Sequence, residues 1–552
     1  MSRNSEDHFA HIPTKRLRRS KFKRDCRMEC TINTGDIVPI YFDEVLPGDT
    51  VKLRTNTLVR MLTPINPVMD NAWIDIYFFF VPRRLTWEHW EEFMGENKTD
   101  AWTQETEYTI PQLNAPEGGW DEKSIAHYLG ARMNTDGISI DAQYVRSYVA
   151  IYNEWFRNQN VSEPAEMSKG DSDTTGNNGD NYVTDLQKGG HFAKAVKYAD
   201  YFTRALIEPQ KGPDVLIPLG NTAKVYAGTT SETFEIPNDS RINWRYIDGT
   251  TGEPTTPSYM TELEGRGDGA AAYMQSEDAA TSAKGTYAPN NLYADLSNAG
   301  AATINQLRQA FAIQRMYEID ARGGTRYIEI LAAHFGVNSP DARLQRPEYL
   351  GGKRIPINMT DVVQNSATDA VTPQGNTAGM SKTIDSHDCF TKSFVEHGIL
   401  MGLAVIRTEH TYQQGIPKIL SRKTRQDFYF PELANIGEVG IKNKEIFAQG
   451  TSADDEIFGY QEAWAEYRYP VNNRVCGELN SDYTTPLDSW HYADDYSTLP
   501  TLSDTWIKET SANVARTLAI QSQAQFKADF YYNQTWTRMM PIYSVPSLTG
   551  WN

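Results

Sequence analysis

The residues best suited to chemistry in this chain stand in succession, His387-Asp388-Cys389. A cysteine activated by a histidine is the nucleophile of many acyl-transfer enzymes. Such partners normally meet through the fold, not as sequence neighbours, and no orienting third group is identifiable. No catalytic residue is therefore assigned. Cys26 and Cys30 have a C-x-x-x-C spacing, but no local His or Cys completes a zinc set, so no metal is assigned. Together with Cys389 and Cys476 they are too few for a disulfide framework, and folding in a reducing compartment is expected. Gly352-Lys353 is the nearest approach to a phosphate-cradling loop, yet it lacks the upstream glycine and the following Ser or Thr. Arg266-Gly267-Asp268 spells an adhesion tripeptide, which arises readily by chance in a glycine-rich loop. The 71 Asp and Glu residues include no marked pair of the glycosidase kind, and no cofactor is expected.

A different chemistry is written near the N-terminus. Lys15, Arg16, Arg18, Arg19, Lys21, Lys23, Arg24 and Arg27 are opposed within their segment only by Asp25. The whole chain carries a formal charge of −18, so it reads as an acidic body with a basic arm. That layout suits contact with nucleic acid on one side only. Phe22 lies within the arm and could stack on an unpaired base.

The elements that must position these residues are mainly strands. Thr50–Met61 alternates, with Val51, Leu53, Thr55, Thr57, Val59 and Met61 on one face and Lys52, Arg54, Asn56 and Arg60 on the other. Leu46-Pro47-Gly48-Asp49 before it has the chemistry of a type II turn. Residues 37–45 read as a strand with Pro39 at a sheet edge. Residues 73–81 are apolar on both faces, as in a strand buried between layers. Residues 399–406 and 528–532 are further strands. Helices are short: Thr86 is expected to cap one carrying Trp87, Trp90 and Met94 and ended by Gly95. Residues 142–157 follow helical spacing, and Thr303 should cap another with Ile304, Leu307, Phe311 and Ile319 inward. Residues 164–190, 221–299 and 361–386 read as long polar loops.

Apolar residues make up 39% and charged residues 22%, enough for a packed core. The 30 Tyr and 12 Trp suit broad contact surfaces. The opening residues have no apolar signal region, and the run 76–81 is far too short to span a membrane, so no membrane insertion is expected.

Several long strings resemble the gokushovirus major capsid proteins, which build small icosahedral single-stranded DNA phages. They include Gly35-Asp36-Ile37-Val38-Pro39-Ile40-Tyr41, Ile151-Tyr152-Asn153-Glu154-Trp155-Phe156-Arg157, Ile304-Asn305-Gln306-Leu307-Arg308-Gln309-Ala310-Phe311 and Leu344-Gln345-Arg346-Pro347-Glu348-Tyr349-Leu350-Gly351-Gly352. The resemblance implies a mainly β protein, an eight-stranded antiparallel jelly roll with long loop insertions and several short helices. It implies a T=1 shell around a circular single-stranded genome. Residues 1–30 would then be an internal basic arm, 31–220 and 300–552 the two parts of the jelly-roll domain, and 221–299 a host-contacting protrusion at the threefold axis. The implied partners are further copies of the chain, the DNA, a small basic DNA-packaging protein, a pilot protein, a scaffolding protein and a bacterial surface receptor. Its place would be the virion, with assembly in the host bacterial cytoplasm. For subunit contacts the aromatic and arginine-bearing strings nominate Trp155, Phe156 and Arg157, then Arg346, Glu348 and Tyr349, then Phe428 and Tyr429. Two other classes stay open. A carbohydrate-binding or carbohydrate-hydrolysing jelly roll would be a small soluble oligomer with sugar affinity and no use for the arm. A nucleic-acid enzyme would need a metal or nucleophile constellation that the sequence does not display.

Overall fold

In the computed structural model the described residues are 18–96, 107–213, 304–323, 345–366, 368, 374–469 and 474–543, with the short segments 224–227, 244–247, 254–255, 286–289, 292–295 and 333–334. Two principal sheets are built from β1 (Ser20–Lys23), β2 (Cys26–Ile32), β3 (Val38–Val45), β4 (Thr50–Met61), β5 (Ala72–Pro82), β6 (Glu348–Pro356), β7 (Thr383–Ser393), β8 (Gly398–Thr408) and β9 (Phe526–Arg538). In the first sheet β9 lies between β4 and an edge formed by β1 and β2 in turn, and β7 closes the far side. The second sheet has the order β6-β5-β8-β3. All pairings in both sheets are antiparallel. Strands distant in sequence thus alternate across two facing sheets, the jelly-roll arrangement. The sheets hold five and four strands, because the first edge breaks at Arg24-Asp25 and counts twice.

Burial explains the patterning. Val51, Leu53, Val59, Phe530 and Trp536 of the first sheet meet Val38, Ile40, Ile74, Ile76, Phe78 and Leu400 of the second in one core. The second sheet is buried on its other face as well. There Phe79, Val81, Ile399, Met401, Leu403 and Val405 pack under α1 (Ala142–Ile151) and under Leu113, Trp120 and Ile125. A strand covered on both sides cannot alternate, which is why the run Ile76–Val81 is apolar throughout, while Asp75 just before it is buried in ion pairs with Arg354 and Arg407. β4 keeps its strict alternation because only one of its faces is covered. The turn before it is as expected, with Gly48 at φ 88° and the Asp49 amide donating to Leu46 O at 3.0 Å. Pro39 sits on β3, an edge strand, beside the register shift at Gly402/Leu403.

Four expectations need correction. Thr86 caps no helix; its hydroxyl donates to Arg83 O, the short helix runs Trp90–Phe93 behind His89, and Met94 is exposed. The α-helix from Ala142 ends at Ile151 and continues as one wider π turn, Tyr152–Phe156. Residues 361–386 are not loop throughout: Met359–Val363 and Thr377–Ser381 pair as a hairpin that leads into β7. Phe311 lies on α2 (Ile304–Gly323) but is exposed. Polarity misled the loop assignment, because strands with one wet face can be as polar as loops.

The chain separates into two compact units, Met1–Pro209 with Ala321–Asn552, and Gln210–Asp320. The second contains two small antiparallel ladders, Lys224–Ala227 with Leu292–Asp295, and Trp244–Ile247 between Pro254–Thr255 and Thr286–Pro289. The expected insertion 221–299 falls inside that unit. Thr303, Arg266, Gly267 and Asp268 lie outside the described residues.

Between β8 and β9 the first unit carries a long insertion with a buried charge cluster, tied to β8 where the Thr408 hydroxyl donates to Glu509 Oε1 at 2.9 Å. His410 Nδ1 lies 3.0 Å from Asp494 Oδ2 and its Nε2 3.0 Å from Glu509 Oε2. Lys197 adds a second cation 3.5 Å from Asp494. All four groups are buried.

Candidate nucleic-acid and subunit-contact surfaces

The basic segment is bound into the first sheet. β1 pairs with residues 535–538 and β2 with residues 526–532 of the same strand, β9. At the break, the Arg24 amide donates to Gln534 O at 3.2 Å and the Gln534 amide donates to Asp25 Oδ1 at 3.1 Å. Lys15 and Arg16 lie outside the described residues. Arg18 and Lys21 are exposed. Arg19 donates to Thr50 Oγ1 and to Thr537 O. Lys23 pairs with Asp25 at 3.0 Å, and Arg24 reaches Asp43 at 2.8 Å while lying 4.9 Å from the Trp536 ring centre. Arg27 grips Asp529 through two nitrogens, at 2.8 and 2.6 Å, and also meets Glu29. The Arg27 guanidinium holds the Asp529 carboxyl below its ordinary range.

Two readings change as a result. Asp25 is not the only counter-charge, because folding brings Asp43 and Asp529 alongside. Phe22 is no base-stacking platform: it stands opposite Trp536 on the inward face of β1 and packs against the core.

The proposed contact residues gather into two aromatic patches. Trp155 and Phe156, on the π turn, meet Tyr349 at the start of β6. The Trp155 indole donates to Pro347 O at 2.9 Å, its ring lies 6.0 Å from Tyr349, and Arg346 lies 5.3 Å from its ring centre. Phe156 packs edge-on to Tyr77 at 5.4 Å. With Val196 and Arg407 these rings line a cleft of about 410 Å³. Trp155 and Tyr349 each remain 42% exposed, so they both pack and present surface. Arg157 donates inward to Ser162 O at 3.1 Å, and Glu348 accepts from Lys392 at 2.5 Å.

Phe428 and Tyr429 belong to the second patch, in the β8–β9 insertion. Arg422 lies 5.2 Å from the Phe428 ring centre and 4.6 Å from that of Tyr467. Tyr429 meets Trp464 at 5.7 Å. Trp464 adopts a left-handed φ of 66°, and its indole donates to Leu433 O at 2.8 Å. Tyr467 is exposed beside them at 6.3 Å from Tyr429, Ile436 is exposed in a cleft shared with Trp464, Leu420 is exposed in the same insertion, and the sequence reading missed all three. The aromatic-rich string Trp464-Ala465-Glu466-Tyr467-Arg468-Tyr469 was the available signal.

The catalytic candidate fails on geometry. The His387 ring bonds Asp385, not Cys389, at 2.8 Å. Burial pushes the Cys389 thiol up to about 11, the opposite of what a nucleophile requires. Among the described residues no group of His, Cys, Asp and Glu could hold a metal ion, and no helix is long and apolar enough to cross a membrane.

A two-sheet jelly roll that presents exposed aromatic patches is the architecture of many viral shell proteins. The chain belongs to the capsid protein (F protein) family, whose model matches residues 10–548. It is 40% identical over 555 residues to capsid protein VP1 of Bdellovibrio phage phiMH2K, covering 100% of this chain and 99% of that protein. It is 41% identical over 545 residues to capsid protein VP1 of Spiroplasma virus 4, covering 98% and 94%, and 37% identical over 595 residues to that of Chlamydia phage 1, covering 98% of each. The resemblance to gokushovirus capsid proteins therefore holds along the chain. The protein is a structural component of a phage virion and not an enzyme.

Proposed function

We propose that the chain closes into a T=1 icosahedral shell around a circular single-stranded DNA genome, with residues 221–299 forming a host-contacting protrusion. The observation carrying this reading is the pair of exposed aromatic–arginine patches, around Trp155/Tyr349 and around Phe428/Tyr429/Tyr467. Ring closure by heterologous contacts needs at least two unlike surfaces on each subunit, and aromatics with Arg are favoured in both. Residues 15–27 would neutralise genome phosphate. The remaining partners of this reading are a small basic DNA-packaging protein, a pilot protein, a scaffolding protein and a bacterial receptor, with assembly in the host bacterial cytoplasm.

The test is sedimentation and negative-stain imaging of the chain from infected cells. Closed particles of one size are expected. Shortening residues 221–299 should remove surface features while particles persist. Trp155→Ala with Tyr349→Ala should shift protein from particles to subunits. Subunits alone in the unmodified infection would overturn the shell reading.

A further inference from the structure

The two sheets differ in what covers them. The second is buried on both faces, whereas the first has its inner face in the core and its other face bare among the described residues. Strand alternation decides what that bare face carries. From β4 it takes Lys52, Arg54 and Arg60, all exposed. From β9 it takes Lys527 and Tyr531, exposed, with Asn533, Thr535 and Thr537 half-buried. Lys21 and Lys23 come from β1 and Arg27 from β2.

Register turns these residues into cross-strand rows. Lys23, Thr535 and Lys52 form one row, and Lys21, Thr537 and Thr50 another. Asn533 stands opposite Arg54, which Ser386 of β7 orients through hydrogen bonds of 3.2 and 3.0 Å. Tyr531, 40% exposed, stands between Arg27 and Asn56. Lys527 stands beside Arg60. Four carboxylates share the face, namely Asp25, Glu29, Asp388 and Asp529. Asp25 and Glu29 pair with the basic segment's own Lys23 and Arg27, Asp529 also pairs with Arg27, and Asp388 reaches Arg54 only at 3.9 Å. Among the described residues no ion pair engages Lys21, Lys52, Arg60 or Lys527. In a chain of net charge −18 such a concentration of unpaired cations is local and oriented.

We infer that this bare face, including Lys52, Arg54, Arg60, Lys527 and Tyr531, is a platform for single-stranded nucleic acid. The inference rests on the genome-enclosing reading above and extends its contacts from the N-terminal segment to two central strands. Cations and hydroxyls in rows suit a phosphate backbone, and an exposed tyrosine between Arg27 and Asn56 offers the stacking surface that Phe22 does not. From Thr50 to Arg60 the face runs about 33 Å at the strand rise, room for a short run of nucleotides. Contacts of this kind are sequence-tolerant, as packaging one long genome requires.

The test is binding of a fluorescent oligo-dT to the purified full-length chain across a salt series. Lys52→Gln/Arg54→Gln/Arg60→Gln should lower the slope of log affinity against log salt by about 2, at about 0.7 per lost contact. Tyr531→Leu should weaken binding by about five- to a hundredfold with the slope unchanged. Lys52→Arg/Arg54→Lys/Arg60→Lys should bind as the parent does, which separates charge from folding. Lys423→Gln/Lys442→Gln/Lys444→Gln, in the β8–β9 insertion, should leave binding unaltered. Parental binding retained by both the triple glutamine variant and Tyr531→Leu would overturn the platform and leave the genome reading intact. If the parent itself shows no affinity for oligo-dT at low salt, the genome reading falls with it.

Discussion

Replacing His410 with leucine should cost about 3–5 kcal/mol of local stability, because it strips one cation from a buried, charge-balanced cluster. His410 stands between Asp494 and Glu509, and Lys197 faces Asp494, so two cations oppose two carboxylates. Asn513, Tyr496 and Thr408 complete the hydrogen bonding, at 2.6, 3.1 and 2.9 Å. Burial favours neutral His410, but the charges of Asp494 and Glu509 and their hydrogen bonds overcome it and push the imidazole up to about 10. Asp494 is likewise opposed by burial, yet His410 and Lys197 hold it well below the usual carboxylate range. The raised histidine contributes fully below about pH 6.5 and loses its contribution as pH climbs through its folded value. The depressed aspartate contributes above about pH 4 and loses its share as pH falls. The cluster is therefore strongest between those limits. In His410→Leu two carboxylates must share Lys197, and uptake of one proton relieves the imbalance. The variant should thus regain stability between about pH 7 and pH 5, where the parent changes little. Two amides report on the site: that of Asp494 donates to Thr411 O at 2.9 Å and that of Glu509 to Ala195 O at 2.8 Å. Hydrogen exchange there should quicken by about two to four orders of magnitude. Adding Glu509→Leu restores charge balance and should recover part of the loss. Exchange within about threefold of the parent at neutral pH, or a loss indifferent to pH, would refute the argument.

Two further outcomes follow from the core and the thiols. Leu53, fully buried between the sheets, should cost about 2–5 kcal/mol when replaced by alanine, read as a lower urea midpoint of the dissociated subunit; a cost below about 1 kcal/mol would mean the sheets do not close over it. Alkylation followed by mass spectrometry should label exposed Cys476 well before Cys30 and Cys389, whose thiols burial raises to about 12 and about 11. Early labelling of Cys389 would contradict its placement beside Thr55 in the sandwich.

Where a residue's environment follows from a hydrophobic period along the chain, the sequence already declared the outcome. The alternation of Thr50–Met61 yields a strand with those bounds, because a period of two needs only one covered face. The unbroken apolar run from Ile76 to Val81 announced a strand covered twice. The capsid family was legible too, since its motifs recur through most of the chain.

Tertiary structure decided the rest, because charge pairing and patch formation depend on distances between residues hundreds apart in sequence. The basic segment gains Asp529 as a counter-charge only because β2 and β9 are neighbours. Phe22 turns inward because the register sets it opposite Trp536, and Tyr531 takes the open face for the same reason. Trp155 and Tyr349 form one patch only when the π turn after α1 reaches the start of β6. His410, Asp494 and Glu509 carry no sequence signal at all, since a buried charge is recognised by the desolvated partners that folding assembles around it.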